Sequence, residues 1–398
     1  MITRKNVVIA VLAVAIFCLR YWSALPEFNE EYAGSYIGGE LEITGYIRDL
    51  TGDEFGVTRA SFETLNFEKF NVGWKLTGTI LLNYLNAQLE MGDLVRISGK
   101  LEAPETSDPR ISAAIYKPRI LSVKNADGAN FSGIFLSIKN VLTKRLEAVF
   151  PEPESGFAAG LLLGARNSLP RDIMTDFKRT GLTHILAVSG YNMVILAAFF
   201  TAIFAWLPRK SANTASILAV CIFVFIVGAS ASVVRAAVMG SLKLVARIFG
   251  RPYGGIRALL ITGFAMALFD PFIIFYDVGF QLSFGATAGI LLFNDFFEKR
   301  VQFLPNWLAV RDSLATTWSA QVLTTPIILL YFKGISMIAT AANIVVLPAI
   351  PFLMLGSFLS LIFGKITAAP TWILFEIVLK AVHFFSGLPF AFMNIGIS

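Results

Sequence analysis

The chain has 398 residues, of which 56% are hydrophobic and only 15% are charged, and its mean hydropathy is +0.67. Soluble domains carry about 25% charged residues, so this composition excludes a disordered chain and a soluble enzyme and predicts an integral membrane protein. The formal net charge is +6, but residues 29–128 hold 10 basic and 15 acidic side chains, whereas residues 157–398 hold 17 and 8. We therefore expect an acidic, water-exposed domain followed by a basic, membrane-embedded one.

Residues 1–28 are predicted to form an N-terminal transmembrane helix. The segment from Asn6 to Ala24 is almost free of charge and is long for the apolar region of a cleaved signal peptide. Arg20-Tyr21-Trp22 is typical of an anchor at the membrane interface. Because basic residues stay on the cytoplasmic side, the early basic pair Arg4-Lys5 predicts that the N-terminus is inside and that the following domain is outside.

Residues 29–128 are predicted to form a small β domain. Short stretches with the alternating pattern of β-strands are separated by turns rich in Gly, Asp, Asn and Pro. These stretches are residues 41–47, 76–82, 94–101 and 119–123. About five strands in such a length favour a small closed barrel, with an OB-fold-like barrel as the leading candidate. Another small β-barrel or a sandwich fits the pattern nearly as well.

Residues 129–155 are predicted to contain an amphipathic helix. Between Phe131 and Phe150 the apolar side chains recur at helical spacing. The polar face is predicted to consist of Lys139, Asn140, Lys144 and Arg145. This pattern favours a helix that lies on the bilayer surface in contact with membrane lipid. The alternative is a surface helix that packs on the barrel.

Residues 156–398 are predicted to form a multi-span membrane domain, because apolar runs close to the roughly 20 residues needed to cross a bilayer repeat along the segment. The predicted spans are 182–207, 214–230, 232–249, 255–269, 272–294, 313–332, 337–362 and 370–394. Basic residues cluster at every second connection, with Lys333 as the main exception, which places those connections in the cytoplasm and the C-terminus outside. The predicted fold is a polytopic α-helical protein of the cytoplasmic (inner) membrane with an N-terminal extracytoplasmic small β-barrel (OB-fold-like) domain.

Polar residues interrupt three of the predicted spans, at residues 186–192, 279–283 and 343–351. In lipid, broken helices and polar side chains persist where they are buried in protein or line a cavity. Small and polar residues also occur simply where helices pack tightly. The three interruptions together with Arg235 and Asp277, at or near membrane depth, favour a polar pathway through the domain.

Several motifs resemble the competence domain of the ComEC family, the inner-membrane proteins that pass incoming DNA into naturally transformable bacteria. The first block runs from Gly160-Leu-Leu-Leu-Gly-Ala-Arg166 through Pro170 to Thr180-Gly-Leu-Thr-His-Ile-Leu-Ala-Val-Ser-Gly190. Further blocks are Ser232-Val-Val-Arg-Ala-Ala237, Asp270-Pro271 with Val278-Gly-Phe-Gln-Leu-Ser-Phe284, and Ala342-Asn343 to Pro348. The resemblance covers residues 156–350 well and implies an inner-membrane channel that passes single-stranded DNA into the cytoplasm and catalyses no covalent chemistry.

The chain departs from the family pattern in two respects. Family members often continue Ser-Gly-x-His, whereas Gly190 is followed by Tyr191-Asn192. Many relatives also carry a C-terminal metallo-β-lactamase-like domain, and with His184 and His383 as the only histidines a metal cluster of that kind cannot be assembled. We therefore expect no metal, no cofactor and no nuclease activity in this chain.

The expected partners follow from the same resemblance. They are single-stranded DNA, an external DNA receptor, a separate nuclease and a helicase-like motor in the cytoplasm, because the phosphate-binding loop Gly-x-x-x-x-Gly-Lys-Ser/Thr is absent from the sequence. The motifs leave the oligomeric state open.

A DNA strand in a bilayer needs a wet path with basic and amide groups, because each phosphate is charged. Arg235 is the predicted phosphate contact, and the alternative is an internal ion pair of Arg235 with Asp277 or Asp270. The predicted polar lining of the path consists of His184, Ser189, Asn192, Gln281 and Asn343. For His184 alone, a structural histidine at the membrane interface is the more frequent outcome.

The β domain offers a second set of candidates for DNA binding. The basic residues are Arg96, Lys100, Lys117 and Arg119, and the aromatic residues available for base stacking are Trp74 and Tyr116. The acidic balance of residues 29–128 has the wrong sign for a DNA-binding surface, since such surfaces are normally basic. A spacer or a protein-docking role is therefore about as probable as DNA binding.

Two rival functions remain open in the sequence. A secondary transporter for a small solute also uses interrupted helices with polar breaks. An intramembrane serine hydrolase is the enzyme-class rival, because Ala187-Val-Ser-Gly190 approaches the pattern Gly-x-Ser-Gly and His383 in a later span is a candidate base for Ser189.

Overall fold

The computed structural model describes residues 4–26, 31–52, 58–69, 72–75, 77–85, 89, 93–124, 131–165, 169–186, 188–304 and 310–395. The chain divides into two compact units. The first consists of Met1–Ser137 with Ala267–Phe272, and the second of Ile138–Met266 with Ile273–Ser398.

The first unit contains one long helix and a β-sheet. Helix α1 spans Arg4–Ala24, and its apolar composition matches the predicted N-terminal helix. The seven strands are β1 (Glu40–Gly52), β2 (Thr58–Lys69), β3 (Val72–Lys75), β4 (Thr79–Leu85), β5 (Leu94–Lys100), β6 (Ile111–Tyr116) and β7 (Arg119–Lys124). The sequence analysis missed β2, β3 and β6. In β6 the small residues Ser112, Ala113 and Ala114 are all buried, so the strand lacks the polar alternation by which a half-exposed strand is recognised.

The strands form one sheet in the order β6-β4-β2-β1-β5-β7, with β3 paired to β2. All pairs are antiparallel except β4 with β6. The inward-facing side chains of the sheet form the core of this unit: Ile43, Ile47, Phe62, Ile80, Leu82, Val95, Ile97 and Ile115.

The predicted closed barrel is wrong, because among the described residues no strand ladder closes the sheet. In that part of the chain a single bridge beyond β5 joins Glu102 to Ala114 of β6, through two backbone hydrogen bonds of 2.8 and 2.9 Å. Pro104 and Pro109 occur in the segment between the bridge and β6. Proline lacks the N–H that a ladder requires, so the pairing ends at one bridge.

Polar contacts within the first unit attach segment 267–272 to the rest of that unit. Arg20 Nε of α1 donates to the Leu268 carbonyl at 3.0 Å. Arg110, just before β6, forms ion pairs with Asp108 and Asp270 at 2.7 Å. Burial alone would lower the pKa of Arg110, but these carboxylates outweigh burial and raise it, so the guanidinium stays charged and fully engaged.

The second unit is a bundle of helices. Its longer elements are α2 (Phe131–Val149, which begins in the first unit), α3 (Glu154–Leu163), α4 (Arg171–Arg179), α6 (Gly190–Ile203), α7 (Arg209–Val227), α8 (Ala231–Ile248), α9 (Gly255–Phe269), α11 (Val278–Arg300), α12 (Val310–Phe332), α13 (Ala339–Val346), α14 (Ile350–Phe363) and α15 (Lys365–Ser386). Short helices α5 (Thr183–Leu186) and α10 (Ile273–Tyr276) and a two-strand sheet of β8 (Gly334–Ser336) with β9 (Phe392–Asn394) complete it. The main core surrounds α3, whose Phe157 packs edge-on against Phe177 and Phe375.

Four helical segments are long and apolar enough to cross a membrane: Arg209–Val227, Val310–Phe332, Ala339–Phe363 and Lys365–Ser386. On α7, the large apolar side chains of Leu218, Ile222 and Phe225 are more than half exposed. Such apolar surface is unfavourable in water and matches the interior of a bilayer. Each of the eight predicted spans overlaps one or two helices of the structure, and four of them correspond to the segments named above. The longest shift concerns the last predicted span, whose helix ends at Ser386 instead of residue 394.

Two of the three predicted interruptions are confirmed in place. Helix α5 ends at Leu186 and α6 begins at Gly190, and a 3-10 turn at Leu347–Ala349 separates α13 from α14. The third is misplaced: residues 279–283 belong to the continuous helix α11, and the break lies before it at Asp277, between α10 and α11. The prediction was wrong because Asp277 caps the helix, so the polar residues after it are helical.

Residues 138–149 of α2 pack into the helical core of the second unit. Leu142 and Val149 face this core and Leu146 is fully buried, whereas Ile134 and Val141 remain about half exposed. Lys139 was assigned to the wrong face: it is partly buried, and its Nζ donates to the Val227 carbonyl at the end of α7 at 3.3 Å. Burial lowers the pKa of Lys139, while the negative end of α7 favours a cation there.

Candidate functional site

Arg235 lies in the middle of α8 and is the most deeply buried basic side chain of the membrane domain that the structure describes, with 8% of its surface exposed. Its Nε donates to Ser283 Oγ at 2.8 Å, and its Nη1 donates to Thr287 Oγ1. Both acceptors lie one turn apart on α11. They are hydroxyl groups, which hold the guanidinium in place without neutralising its charge.

The third neighbour of Arg235 is the start of α6. A Cβ atom at Gly190 would collide with Nη2 of Arg235, so only glycine allows this approach. Gly190 and Tyr191 are the first two residues of α6, and their N–H groups have no acceptor within the helix. The end of the helix that faces Arg235 is therefore its positive end.

Ser189 and Asn192 form the cap of α6. Ser189 Oγ accepts the Asn192 N–H at 3.3 Å and donates to Asn192 Oδ1 at 3.1 Å. Asn192 Nδ2 donates to the Leu161 carbonyl of α3 at 3.1 Å, and the residue is 1% exposed. Asn192 is thus fully engaged in holding α6 on α3, and Ser189 is the partner that stays half-buried beside Gly190.

The two aspartates considered as ion-pair partners of Arg235 have other roles. Asp277 Oδ1 accepts the Phe280 N–H at 2.7 Å and caps α11. Asp270 pairs with Arg110 and accepts the Phe272 N–H at 3.0 Å. Within the described ranges no carboxylate lies within ion-pair distance of Arg235. The alternative of an internal ion pair is therefore not observed.

Among the described residues, no hydrogen bond or ion pair joins Arg235 to the remaining predicted lining residues. Gln281 Nε2 donates to the carbonyls of Ile274 and Phe275 at 3.0 and 2.9 Å and joins α10 to α11. Asn343 is buried on α13, and in the described part of the chain its Oδ1 has no hydrogen-bond partner. His184 is exposed on α5, where Nδ1 donates to the Gly181 carbonyl at 3.1 Å. That local bond is the structural role considered for His184.

The sequence analysis missed Thr287 as a site residue. Its signal was the spacing of four residues from Ser283, which puts both hydroxyls on one face of α11. It also missed the group that engages His383. Nδ1 of His383 lies 2.8 Å from Asp176 Oδ2 on α4, and Ser386 Oγ donates to the other oxygen of Asp176.

Ser189 and His383 therefore have separate partners, Asn192 and Asp176. A serine nucleophile needs a base within hydrogen-bond reach, and no bond between these two residues is observed in the part of the chain that the structure describes. The described residues also contain no group of three His, Cys, Asp or Glu side chains with the geometry to hold a metal ion.

In the β-sheet, three of the predicted basic residues share the outward face of β5 and β7. Lys100 lies four residues after Arg96, and Arg119 pairs with Ser98 between them, while the alternate residues Val95 and Ile97 are buried. Arg96 forms an ion pair with Glu42 of β1 at 2.8 Å. Lys100 and Arg119 are exposed. The part of the face on β5 and β7 is basic, whereas the adjoining strand β1 places Glu40 opposite Lys100.

The other residues proposed for DNA binding lie elsewhere in the sheet. Tyr116 ends β6 and pairs with Asn83, and Lys117 follows in the turn with φ of 54°. Trp74 of β3 pairs with Phe67 of β2 through the backbone, and the side chain of Trp74 lies outside the described residues. Arg166 of the Gly160–Arg166 motif also lies outside the described residues.

Comparison with known proteins gives one family and several distant relatives. A family model described as competence protein matches residues 161–398. ComE operon protein 3 of Bacillus subtilis (strain 168) is 26% identical over 344 residues, which is 82% of this chain and 43% of that protein. The uncharacterized protein YcaI of Escherichia coli (strain K12) is 23% identical over 213 residues, 51% of this chain and 28% of that protein.

A third relative is an uncharacterized protein of Aquifex aeolicus (strain VF5), 30% identical over 160 residues, 40% of this chain and 38% of that protein. The chain thus spans less than half the length of each of these relatives. No solved structure matches.

Proposed function

Because the chain belongs to the competence protein family, we propose that it takes part in the uptake of DNA during natural transformation. Its helical unit passes single-stranded DNA through the inner membrane into the cytoplasm. The observation that carries this proposal is the environment of Arg235, a buried arginine held by two hydroxyl groups at the positive end of α6.

The argument is electrostatic. An arginine within a membrane domain is expensive unless an anion or water compensates its charge. No carboxylate does so among the residues described, and the neighbouring helix end adds positive rather than negative potential. A phosphodiester supplies the missing charge, because its oxygens accept hydrogen bonds from a guanidinium and from the N–H groups of a helix start.

The β domain is proposed to bind the incoming strand outside the membrane. Support comes from the basic face made by Arg96, Lys100 and Arg119, since non-specific binding of single strands relies on phosphate neutralisation along a groove. The sheet has the parallel pairing of β4 with β6 and a nearly closed path of strands, which is compatible with a partly open OB-fold.

The orientation and the partners belong to the same proposal. The N-terminus is inside and the β domain outside, in accord with the distribution of basic residues. The half-exposed apolar side chains of Ile134 and Val141 on α2 rest on membrane lipid. An external receptor delivers the DNA, a separate nuclease degrades the other strand, and a helicase-like motor pulls from the cytoplasm. The chain itself catalyses no covalent step.

The test is the uptake of labelled extracellular DNA by a strain from which the gene is deleted, scored as DNase-resistant label in the cytoplasm. We expect uptake to disappear while DNA still binds to the cell surface and electroporated DNA still recombines. Complementation with the intact gene restores uptake. Unchanged uptake in the deletion strain would overturn the proposal and favour transport of a small solute.

A further inference from the structure

Glu154 is the first residue of α3, a helix of ten residues in which every side chain is buried. Only 3% of its surface is exposed, and its Oε2 atom has no hydrogen-bond partner among the residues that the structure describes. An ionised carboxylate in such a place loses the hydration of this oxygen atom without a compensating bond to it, which is more costly than burial of the neutral acid. The surroundings of Glu154 therefore favour its protonated form.

A second carboxyl group acts on Glu154 from α15. The side chains of Glu376 and Trp372, one turn apart on that helix, both interact with Glu154. Glu376 forms an ion pair with Lys380 at 3.0 Å and is more exposed than Glu154. Two neighbouring carboxyl groups resist ionisation of both, so the proton resides on the buried member while Lys380 stabilises the charge of the other.

The pKa of Glu154 has opposing contributions with a clear net direction. Burial raises the pKa of Glu154 and is the largest effect, and Glu376 raises it further. The backbone N–H of Glu154 and the Trp372 indole act in the opposite direction. The helix start also favours a negative charge, but it does not outweigh the loss of hydration.

Charged groups on the other elements around α3 do not change this picture. Helix α14 contains no ionisable residue, and α5 contains only His184, whose ring bonds to Gly181. The basic pair Arg209-Lys210 begins α7, whereas Val227 at the far end of α7 packs at the end of α3 opposite Glu154. On α4, Asp176 is engaged by His383 and Ser386.

We propose that Glu154 and Glu376 form a proton-binding site in the helical unit, in which the proton resides on the buried Glu154. The ligand of this site is a proton. The site shares no residue with the Arg235 region and does not depend on the proposed function.

Infrared spectroscopy of the full chain in lipid tests the proposal, because a protonated carboxyl group has a C=O stretch that a carboxylate lacks. We expect a protonated-carboxyl band that persists to higher pH than the band of an exposed glutamate, shifts in D₂O and is lost in Glu154→Gln. The matched control is Glu147→Gln, an exposed glutamate on α2, which leaves the band unchanged. A band unaffected by Glu154→Gln, or no such band in the unmodified chain, would overturn the proposal.

The stability of the protein gives an independent measurement. A carboxyl group with a raised pKa in the folded state stabilises the fold below its unfolded pKa, and this stability is lost as pH rises through the folded pKa. The melting temperature of the unmodified chain therefore falls between mildly acidic and alkaline pH, and Glu154→Gln removes that part of the fall.

If Glu154→Gln does not fold, Glu376→Gln serves instead. It removes the neighbouring carboxylate, and the protonated-carboxyl band must then disappear at lower pH than in the unmodified chain. An unshifted disappearance overturns the carboxyl pair.

Discussion

Two arginines of the β-sheet unit and one buried arginine of the helical bundle differ in whether their partners carry a negative charge. In the sheet unit, Arg96 pairs with Glu42, and Arg110 pairs with two aspartates. In the helical unit, Arg235 is more deeply buried than either, yet its observed partners are the hydroxyl groups of Ser283 and Thr287. Carboxylates of the first unit thus neutralise Arg96 and Arg110, whereas no carboxylate among the described residues pairs with Arg235 in the second unit.

The net charge of a unit is therefore a poor guide to which of its arginines attracts an anion. A surface ion pair contributes about 0–1 kcal/mol, so the arginine of such a pair can exchange its carboxylate for a phosphate at little cost. A buried arginine without a carboxylate is a stronger attractor, because the alternative to binding an anion is an uncompensated charge in a medium of low polarity. The following predictions test whether the two units differ in this way.

The largest effect is expected for Arg235→Ala. Loss of a charge-assisted hydrogen bond costs about 1.5–3 kcal/mol, so DNA entry should fall about ten- to a hundredfold. The fold should persist, because Thr287 Oγ1 also donates to the Ser283 carbonyl and no buried carboxylate is left without a partner. Uptake of labelled DNA is measured together with the amount of protein in the membrane.

Arg247→Ala is the matched control, since Arg247 is an exposed arginine on the same helix. Its uptake should remain close to that of the unmodified protein. Normal uptake by Arg235→Ala, or an equal loss in both variants, would show that the burial of Arg235 serves the fold and not the passage of DNA.

A smaller effect is expected for Thr287→Val, which removes one of the two hydroxyl partners of Arg235 without changing the size of the side chain. A hydrogen bond of about 1 kcal/mol predicts a reduction of uptake by roughly fivefold. Thr324→Val on α12 is the control, because that hydroxyl bonds only to its own helix at Ala320 in the described part of the structure.

The two substitutions in α8 and α11 should not be additive. Once Arg235 is alanine, Thr287 has no guanidinium to position, and the double variant should take up DNA as poorly as Arg235→Ala alone. Additional loss in the double variant would mean that Thr287 acts separately from Arg235.

The helices could be predicted from the sequence more closely than the sheet. Apolar runs determine the helices of a membrane domain, and α9 was predicted with its observed bounds. In the sheet, β6 is buried on both faces and has no alternating pattern, and the bridge at Glu102 that replaces a closing ladder depends on contacts distant in sequence. Pairing between distant segments is what a local pattern does not contain.

The site was predicted in its residue types and only partly in its geometry. Arg235 and the Ser189-Gly190 break were found from polarity within apolar runs, and the structure brings Arg235 and Gly190 together. Asn192 and Gln281 looked equally polar in the sequence, but their hydrogen bonds hold helices together. Which polar side chain has its bonds satisfied depends on the tertiary structure.

The smallest effect, and the one with opposite sign, is expected for Glu42→Gln in the sheet. Removal of this carboxylate weakens the ion pair that holds Arg96, so the full-length protein should bind a fluorescent single-stranded oligonucleotide up to about fivefold more tightly at low salt. If Arg96 then contacts one additional phosphate, the slope of log affinity against log salt concentration becomes steeper by about 0.7. Glu63→Gln, an exposed glutamate of β2, makes the same change in net charge and should alter the slope less. Equal effects of the two variants would mean that the sheet responds to its net charge, and the contrast between paired and unpaired arginines would then hold only for the helical unit.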